Sequence, residues 1–172
     1  MGMGHINGLF RPKAPVFSLV AAAYNVAPYI DDFFASIVAQ TYGMKGVELI
    51  VVNDGSTDDT GSRIDQWAAR YPKLIRCIHQ DNGGVAAARN TGMMQANGAW
   101  IGFPDPDDQL HPDYLSHLSN AIDSDDTQIA IVANLIRYDE ATDTHSDTHP
   151  MKYRFKKGFV TRPVHKTRDM IL

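Results

Sequence analysis

The strongest constraint on this chain is a rhythm. Short apolar runs at residues 17–22, 48–52, 74–78 and 100–103 alternate with segments whose apolar side chains recur at helical spacing. Such alternation is the pattern of β-α-β units, whose parallel strands are buried on both faces and so read as continuous apolar runs. The first strand, 17–22, precedes a helix entered near Pro28, with Ile30, Phe33, Phe34, Ile37 and Val38 on one face and Gly43 as terminator. The second runs into Asn53-Asp54-Gly55-Ser56, where Ser56 or Thr57 can cap a helix carrying Ile64, Trp67 and Ala68. The third leads through a polar loop, 79–84, to an Ala- and Met-rich helix over 85–97. The fourth runs directly into Pro104-Asp105-Pro106-Asp107-Asp108. A helix over 112–122 follows, with Leu115, Leu118 and Ile122 inward, then a strand at 129–132 that residues 135–138 extend; 142–149 reads as a loop. The expected fold is a three-layer α/β/α domain with a mostly parallel sheet over residues 15–138. A disordered lead-in, 1–14, precedes it, and a loop and basic tail, 139–172, follow.

Composition narrows the function. A length of 172 residues suits one domain with a real core. The formal net charge of −4 argues against a broad basic surface for nucleic acid. The basic residues gather late: Lys152, Arg154, Lys156, Lys157, Arg162, Lys166 and Arg168 stand against a single acid, Asp169. Such a tail is either a solvated flap or a segment that lies on anionic lipid or on an acceptor. The lone cysteine, Cys77, can form no disulfide within the chain, which fits a reducing, cytoplasmic setting. No apolar stretch approaches the ~20 residues of a membrane-spanning helix.

In open parallel sheets ligands bind at the carboxyl ends of the strands, and three polar clusters fall there: Tyr24-Asn25, Asn53-Asp54 and residues 105–108. Asp105, Asp107 and Asp108 repel one another unless solvent or a cation compensates. A hard divalent ion such as Mg²⁺ or Mn²⁺, held by one or two carboxylates plus substrate phosphates, would do so; an acid-rich turn that caps the next helix is the plain alternative. Asp54, at a strand end, can accept a hydrogen bond from a nucleobase imide, or can make an Asx turn. Tyr24 can stack on a base, or can be a core-edge tyrosine beside Asn25 as helix cap. Arg89 lies a little over one turn into an apolar helix and needs a partner; a diphosphate would serve, as would Asp107 or Asp108. His111 is either a phosphate contact or a surface histidine at a helix start. The histidines have no zinc-ligand spacing, and no Walker loop, nucleophile elbow or dinucleotide fingerprint follows a strand.

Taken together, the motifs resemble family-2 glycosyltransferases with the GT-A fold. Phe17-Ser18-Leu19-Val20-Ala21-Ala22-Ala23-Tyr24-Asn25 is similar to that family's opening strand, and Glu48 through Asn53-Asp54-Gly55-Ser56-Thr57-Asp58-Asp59-Thr60 to its second. Asn82-Gly83-Gly84-Val85 through Arg89-Asn90-Thr91-Gly92 resembles its central helix, and Phe103-Pro104-Asp105-Pro106-Asp107-Asp108 through Leu115 its metal-binding DxD block. The resemblance implies an inverting transferase that takes a sugar from a nucleotide-diphosphate sugar, a UDP-sugar first, to a glycan or lipid-linked acceptor of the cell envelope. It assigns Ala22, Tyr24, Asn25, Asp54, Asn82, Arg89 and Asp105 to the nucleotide-sugar, with Asp54 and Tyr24 at the base and Asp105 near the ribose or sugar. It assigns Mg²⁺ or Mn²⁺ to Asp107, with Asp105 beside it and Asp108 as second choice. Three departures stand out: Ala22 replaces a usual proline, Asn53 replaces a common first aspartate, and Pro106 lies inside the DxD. The family's general base comes from a downstream acidic motif expected beyond Leu172, so no catalytic base is named. The chain is expected to be a donor-binding part of a longer protein that is cytoplasmic or peripherally held at the inner face of the membrane. Two other classes fit less well. A sugar-phosphate nucleotidyltransferase needs a Gly-rich basic loop after the first strand, which residues 21–24 lack. A receiver-like signalling module needs an acidic pair there and a lysine after a late strand.

Overall fold

In the computed structural model the described residues are 16–124, 137–139 and 144–146. The chain divides into two compact units, Met1–Ser116 and His117–Leu172. In the first, β1 (Phe17–Ala23), α1 (Ile30–Val38), β2 (Val47–Asp54), α2 (Thr60–Arg70), β3 (Ile75–Gln80), α3 (Val85–Met93) and β4 (Trp100–Gly102) follow one another, and α4 (Tyr114–Ser124) begins at its end. β1 to β4 form one parallel sheet in the order β3-β2-β1-β4.

The central strands explain the three layers. β1 and β2 are buried along nearly their whole length, so both faces of the sheet are covered. Side chains alternate between faces along a strand. On one face Val20, Ile50 and Val52 pack with Ala88 of α3, with Ala22, Ile78 and Ala96 against them. On the other, Leu19, Ala21, Leu49 and Val51 are fully buried, as are Phe33, Phe34 and Ile37 of α1 and Ile64 of α2. Phe34 stacks on Trp67, and both Arg63 and the Trp67 indole N–H donate to Asp31, fastening α2 to α1. α3 can come close to the sheet because Gly92 has no side chain: a Cβ there would stand 2.4 Å from Val20 Cγ1.

At the amino ends of the strands, Glu48 accepts the Ser18 hydroxyl at 2.5 Å and the Asn97 N–H at 2.6 Å, while Gly98 N–H donates to Ser18 Oγ at 2.7 Å. Burial pushes the Glu48 pKa up, but these hydrogen bonds outweigh it and hold the carboxyl below its ordinary value. The loop into β4 is thereby tied to β1 and β2.

Several boundaries differ from those read in the sequence. Pro28 lies in the turn before α1, where Tyr29 and Ile30 N–H both donate to Val26 C=O, so the helix starts at Ile30. β3 runs on through His79 and Gln80, because backbone pairing with Asn53 and Asp54 carries a strand past its apolar run. α3 stops at Met93; the N–H groups of Gln95 and Ala96 instead bond the carbonyls three residues back, Gly92 and Met93, in tightened turns. β4 ends at Gly102, and α4 starts at Tyr114. In the second unit β5 (Arg137–Asp139) pairs antiparallel with β6 (Thr144–Ser146). Part of the span expected to be a loop, 142–149, is therefore a strand, since a ladder built from backbone groups needs no apolar run. The strand expected at 129–132, the lead-in at 1–14 and nearly all of the basic tail lie outside the described residues.

The close approach at Gly92 is testable. Gly92→Ala is expected to destabilise the chain by about 1–3 kcal/mol in urea unfolding, the usual cost of overpacking. Val20→Ala is expected to offset part of that loss in the double variant, a coupling that a double-mutant cycle reads directly.

Candidate functional site

β1 lies between β2 and β4, so the chain leaves it toward one side for β2 and β3 and returns to its other side for β4. Such a reversal is a switch point, the place at the carboxyl edge where parallel sheets bind ligands. Four loops meet there. The first two are bound to each other through backbone N–H groups that no strand satisfies. Asn25 N–H donates to Ser56 Oγ at 3.1 Å, Val26 N–H to Thr60 Oγ1 at 2.8 Å, and Ala27 N–H to Asp58 Oδ2 at 3.2 Å. In return Thr57 N–H donates to Asn25 Oδ1 at 2.8 Å.

These contacts correct three sequence-based cap assignments. Asn25, at φ 54°, does not cap α1, and neither Ser56 nor Thr57 caps α2, whose first N–H is met by Asp58 Oδ1 at 2.9 Å. The same side chains instead serve the neighbouring loop, some thirty residues away. Local cap rules cannot see that choice, because Asx and Ser/Thr side chains bond any backbone group that folding brings within reach. Tyr24, left at the end of β1, is 49% exposed. Ala22 sits lower, packed against the α3-side core rather than at the rim.

Asp54 ends β2 and is 2% exposed. Its Oδ1 accepts Gln80 Nε2–H at 2.7 Å and Gly83 N–H at 2.9 Å, and its Oδ2 accepts Gly84 N–H at 2.8 Å. Burial raises its pKa, but these three donors outweigh that and keep it below the ordinary aspartate value. The carboxylate therefore shapes the loop that starts α3. Gly55, at φ +71°, makes room: a Cβ would stand 2.7 Å from the backbone nitrogen of Asn82. Gln80, the side-chain partner in this set, fell in the polar loop of the sequence pattern and was invisible there, as was the fully buried Thr60.

α3 joins the two acidic clusters. Gly84, its N-cap, touches Asp54, and Arg89, five residues later, touches Asp105 at 2.6 Å. Five residues of helix advance about 7.5 Å, so Asp54 and Asp105 lie on one rim. The partner of Arg89 is thus Asp105 and not Asp107 or Asp108, the carboxylates offered by the sequence. Within the acidic turn Asp108 N–H donates to Asp105 C=O at 3.0 Å, which places Pro106 at the second position of a β-turn, where its fixed φ belongs. Pro104 and Pro106 are buried while Asp105, Asp107 and Asp108 are exposed. Asp107 has no hydrogen bond or ion pair among the described residues. His111 is exposed, and its Nδ1 accepts Asp113 N–H at 3.2 Å, the helix-start role.

A second group of ligand-type side chains, Asp65, Cys77 and His79, sits on the β3 edge with its ligand atoms within 4.8 Å of one another. Its hydrogen bonds assign the protons. Ser56 N–H donates to Asn53 Oδ1, so Asn53 turns its Nδ2–H to His79 Nδ1 at 2.9 Å. The ring proton is then on Nε2, where it meets Asp65 Oδ1 at 3.0 Å, leaving no lone pair for a cation at that nitrogen. Burial first, then the Asp65 charge and its hydrogen bond, push the Cys77 thiol up to about 12.

With this geometry in hand, likeness to known proteins becomes informative. The sequence pattern described as "Glycosyl transferase family 2" matches residues 18–169. The chain belongs to that family. Over 118 residues it is 38% identical to the uncharacterized glycosyltransferase EpsJ of Bacillus subtilis, covering 69% of this chain and 33% of EpsJ. Crystallised TarS (residues 1–349) of S. aureus in complex with UDP-GlcNAc is 31% identical at a TM-score of 0.57, over 63% of this chain and 31% of that one. The mannosyltransferase PcManGT of Pyrobaculum calidifontis, in complex with GDP-Man and Mn²⁺, is 30% identical at a TM-score of 0.56, over 63% and 32%. The fold of this family-2 chain is GT-A, and the chain spans about a third of the length of these relatives. Among the described residues no helix is long and apolar enough to cross a membrane.

Two outcomes follow from the hydrogen bonds of this family-2 rim. Asp54→Asn is expected to cost about 1–3 kcal/mol, since a buried amide nitrogen would face the N–H donor of Gly83 or Gly84. Because the folded-state pKa of Asp54 is lowered, its stabilisation is complete above the unfolded value near 3.8 and is lost as pH falls through the folded value. The gap between wild type and variant in urea melts is therefore expected to close on acidification below that value. Cys77, with a thiol pKa of about 12, is expected to react with iodoacetamide at pH 8 far more slowly than a free thiol, and Asp65→Asn is expected to speed it.

Proposed function

We propose that the rim formed by Tyr24, Asp54, Arg89, Asp105 and Asp107 binds a nucleotide-diphosphate sugar, a UDP-sugar first, with Mg²⁺ or Mn²⁺ at the acidic turn. The observation that carries this reading is α3, which meets Asp54 at its N-cap, Gly84, and Asp105 at its midpoint, Arg89, beside the switch point. Support also comes from relatives whose complexes hold UDP-GlcNAc, or GDP-Man with Mn²⁺.

The residues suit a cation. Arg89 already balances Asp105, whereas Asp107 is an exposed carboxylate on a proline-stiffened turn with no partner among the described residues. Asp107 is therefore the first ligand, with Asp105 and Asp108 beside it. Such an ion supplies charge neutralisation to a diphosphate leaving group. Arg89 holds the turn and lies within reach of the same phosphates. Tyr24, half-exposed at the end of β1, offers its ring to the base. Asp54 acts mainly through the loop it shapes, presenting the backbone of Asn82 and Gly83, while Asn25 fixes the neighbouring loop. Transfer, with inversion, to a glycan or lipid-linked acceptor at the cell envelope is the activity assigned to the whole protein, and no residue of this chain is assigned as its base.

The alternative of a sugar-phosphate nucleotidyltransferase has no feature in its favour, since the loop after β1 holds no basic residue. Calorimetry with UDP and Mn²⁺ tests the proposal. Wild type is expected to bind in a manner that EDTA weakens at least tenfold, and Asp107→Ala to bind UDP equally weakly with or without the metal. Asp107→Ala binding as tightly as wild type in Mn²⁺ would remove the metal assignment.

A further inference from the structure

Between the acidic turn and α4 runs a strap, residues 109–113, that belongs to no helix or strand. Its backbone polar groups still need partners, and Ser36 of α1 and the two residues Gln40 and Thr41 just past that helix supply them. Leu110 N–H donates to Ser36 Oγ at 3.1 Å. Gln40 Nε2 donates to His111 C=O at 2.8 Å, and Thr41 N–H to Pro112 C=O at 2.9 Å. The Thr41 hydroxyl has one proton, which goes to Asp113 Oδ1 at 2.7 Å; its oxygen is in reach of Ser116 Oγ at 3.0 Å.

Gln40 is the centre of this arrangement. It is 5% exposed, and its amide is fully used: one N–H on Ser36 C=O at 3.1 Å, the other on His111 C=O, and Oε1 accepting Leu115 N–H at 3.0 Å. No other side chain of this size offers two donors and an acceptor. Glutamate would lose both donors, and methionine would lose all three contacts.

The acidic turn is thus held from two directions. Arg89 fixes Asp105 on the upstream side, and α1 fixes residues 110–113 on the downstream side. Asp107 lies between these points on a turn with no ladder of its own. We propose that Gln40 and Thr41 are positioning residues for the acidic turn, holding the Asp107 carboxylate where it can take a divalent cation. This inference rests on the donor-site reading above, and it places control of cation affinity in residues just past α1, outside the proposed rim.

The test is calorimetry of the 172-residue chain with UDP, once in Mn²⁺ and once in EDTA. The readout is the ratio of the two dissociation constants. A loss of folded protein changes the stoichiometry but not this ratio, so a merely structural role would leave it unmoved. Thr41 is exposed, and Thr41→Val keeps the backbone N–H on Pro112 while deleting the hydroxyl. It is expected to shrink the metal-dependent gain on the order of tenfold, the scale of loss for a ligand group displaced by a fraction of an ångström, with affinity in EDTA unchanged. Thr41→Ser is expected to restore the gain, and Gln40→Met to reduce it at least as far as Thr41→Val. An unchanged ratio in Thr41→Val, or no restoration in Thr41→Ser, overturns the positioning role while leaving the donor-site reading intact. Equal affinity of the wild-type chain in Mn²⁺ and in EDTA overturns the metal reading, and the positioning role with it.

Discussion

A parallel sheet delivers every strand to the same edge and then abandons the backbone there. Beyond the last ladder bond each loop carries N–H and C=O groups that must find partners or, where buried, lose about twice the net worth of a hydrogen bond in solvation. In this chain the loops satisfy one another. Ser56, Asp58 and Thr60 take the N–H groups of Asn25, Val26 and Ala27; Asp54 takes those of Gly83 and Gly84; Gln40 and Thr41 take the groups of residues 111–115. The rim is consequently one interlocked surface, and its shape is set by side chains whose partners lie tens of residues away.

That mutual satisfaction explains what was legible in the sequence. The alternation of strands and helices and the burial of both sheet faces follow from the apolar stretches within residues 17–23 and 49–52, because burial demands an apolar side chain and little else. The gathering of polar clusters at one edge follows in turn from parallel topology. Individual partners do not. Asn25, Ser56 and Thr57 carry strong local cap signals, yet the helices they precede go uncapped by them, since a loop on the next strand competes for the same oxygen atoms. Arg89 was recognisable as a residue needing a carboxylate, but three stood within four positions, and only the β-turn at Pro106 decides that Asp105 is the one. Gln40 gave no signal at all. A glutamine near a helix end is ordinary until the strap arrives from residues 110–115 to use every atom of its amide.

The electrostatics of the rim point the same way. Asp54 and Asp105 are both acidic and both near the switch point, but each is already compensated, the first by backbone and amide donors and the second by a guanidinium. Neither resembles a carboxylate kept in reserve. Asp107 does: it is exposed, it sits at the apex of a turn whose prolines are buried, and the turn is pinned at both shoulders. Its backbone is ordered by the turn hydrogen bond from Asp108 N–H to Asp105 C=O, while its exposed carboxylate has no partner among the described residues. On the reading proposed above, a cation brings its own charge to that position, and a turn already ordered in the free chain lowers the ordering cost of binding it. The hydrogen bonds that rescue stranded backbone groups therefore also anchor the chain on both sides of Asp107, at Asp105 and at residues 110–112.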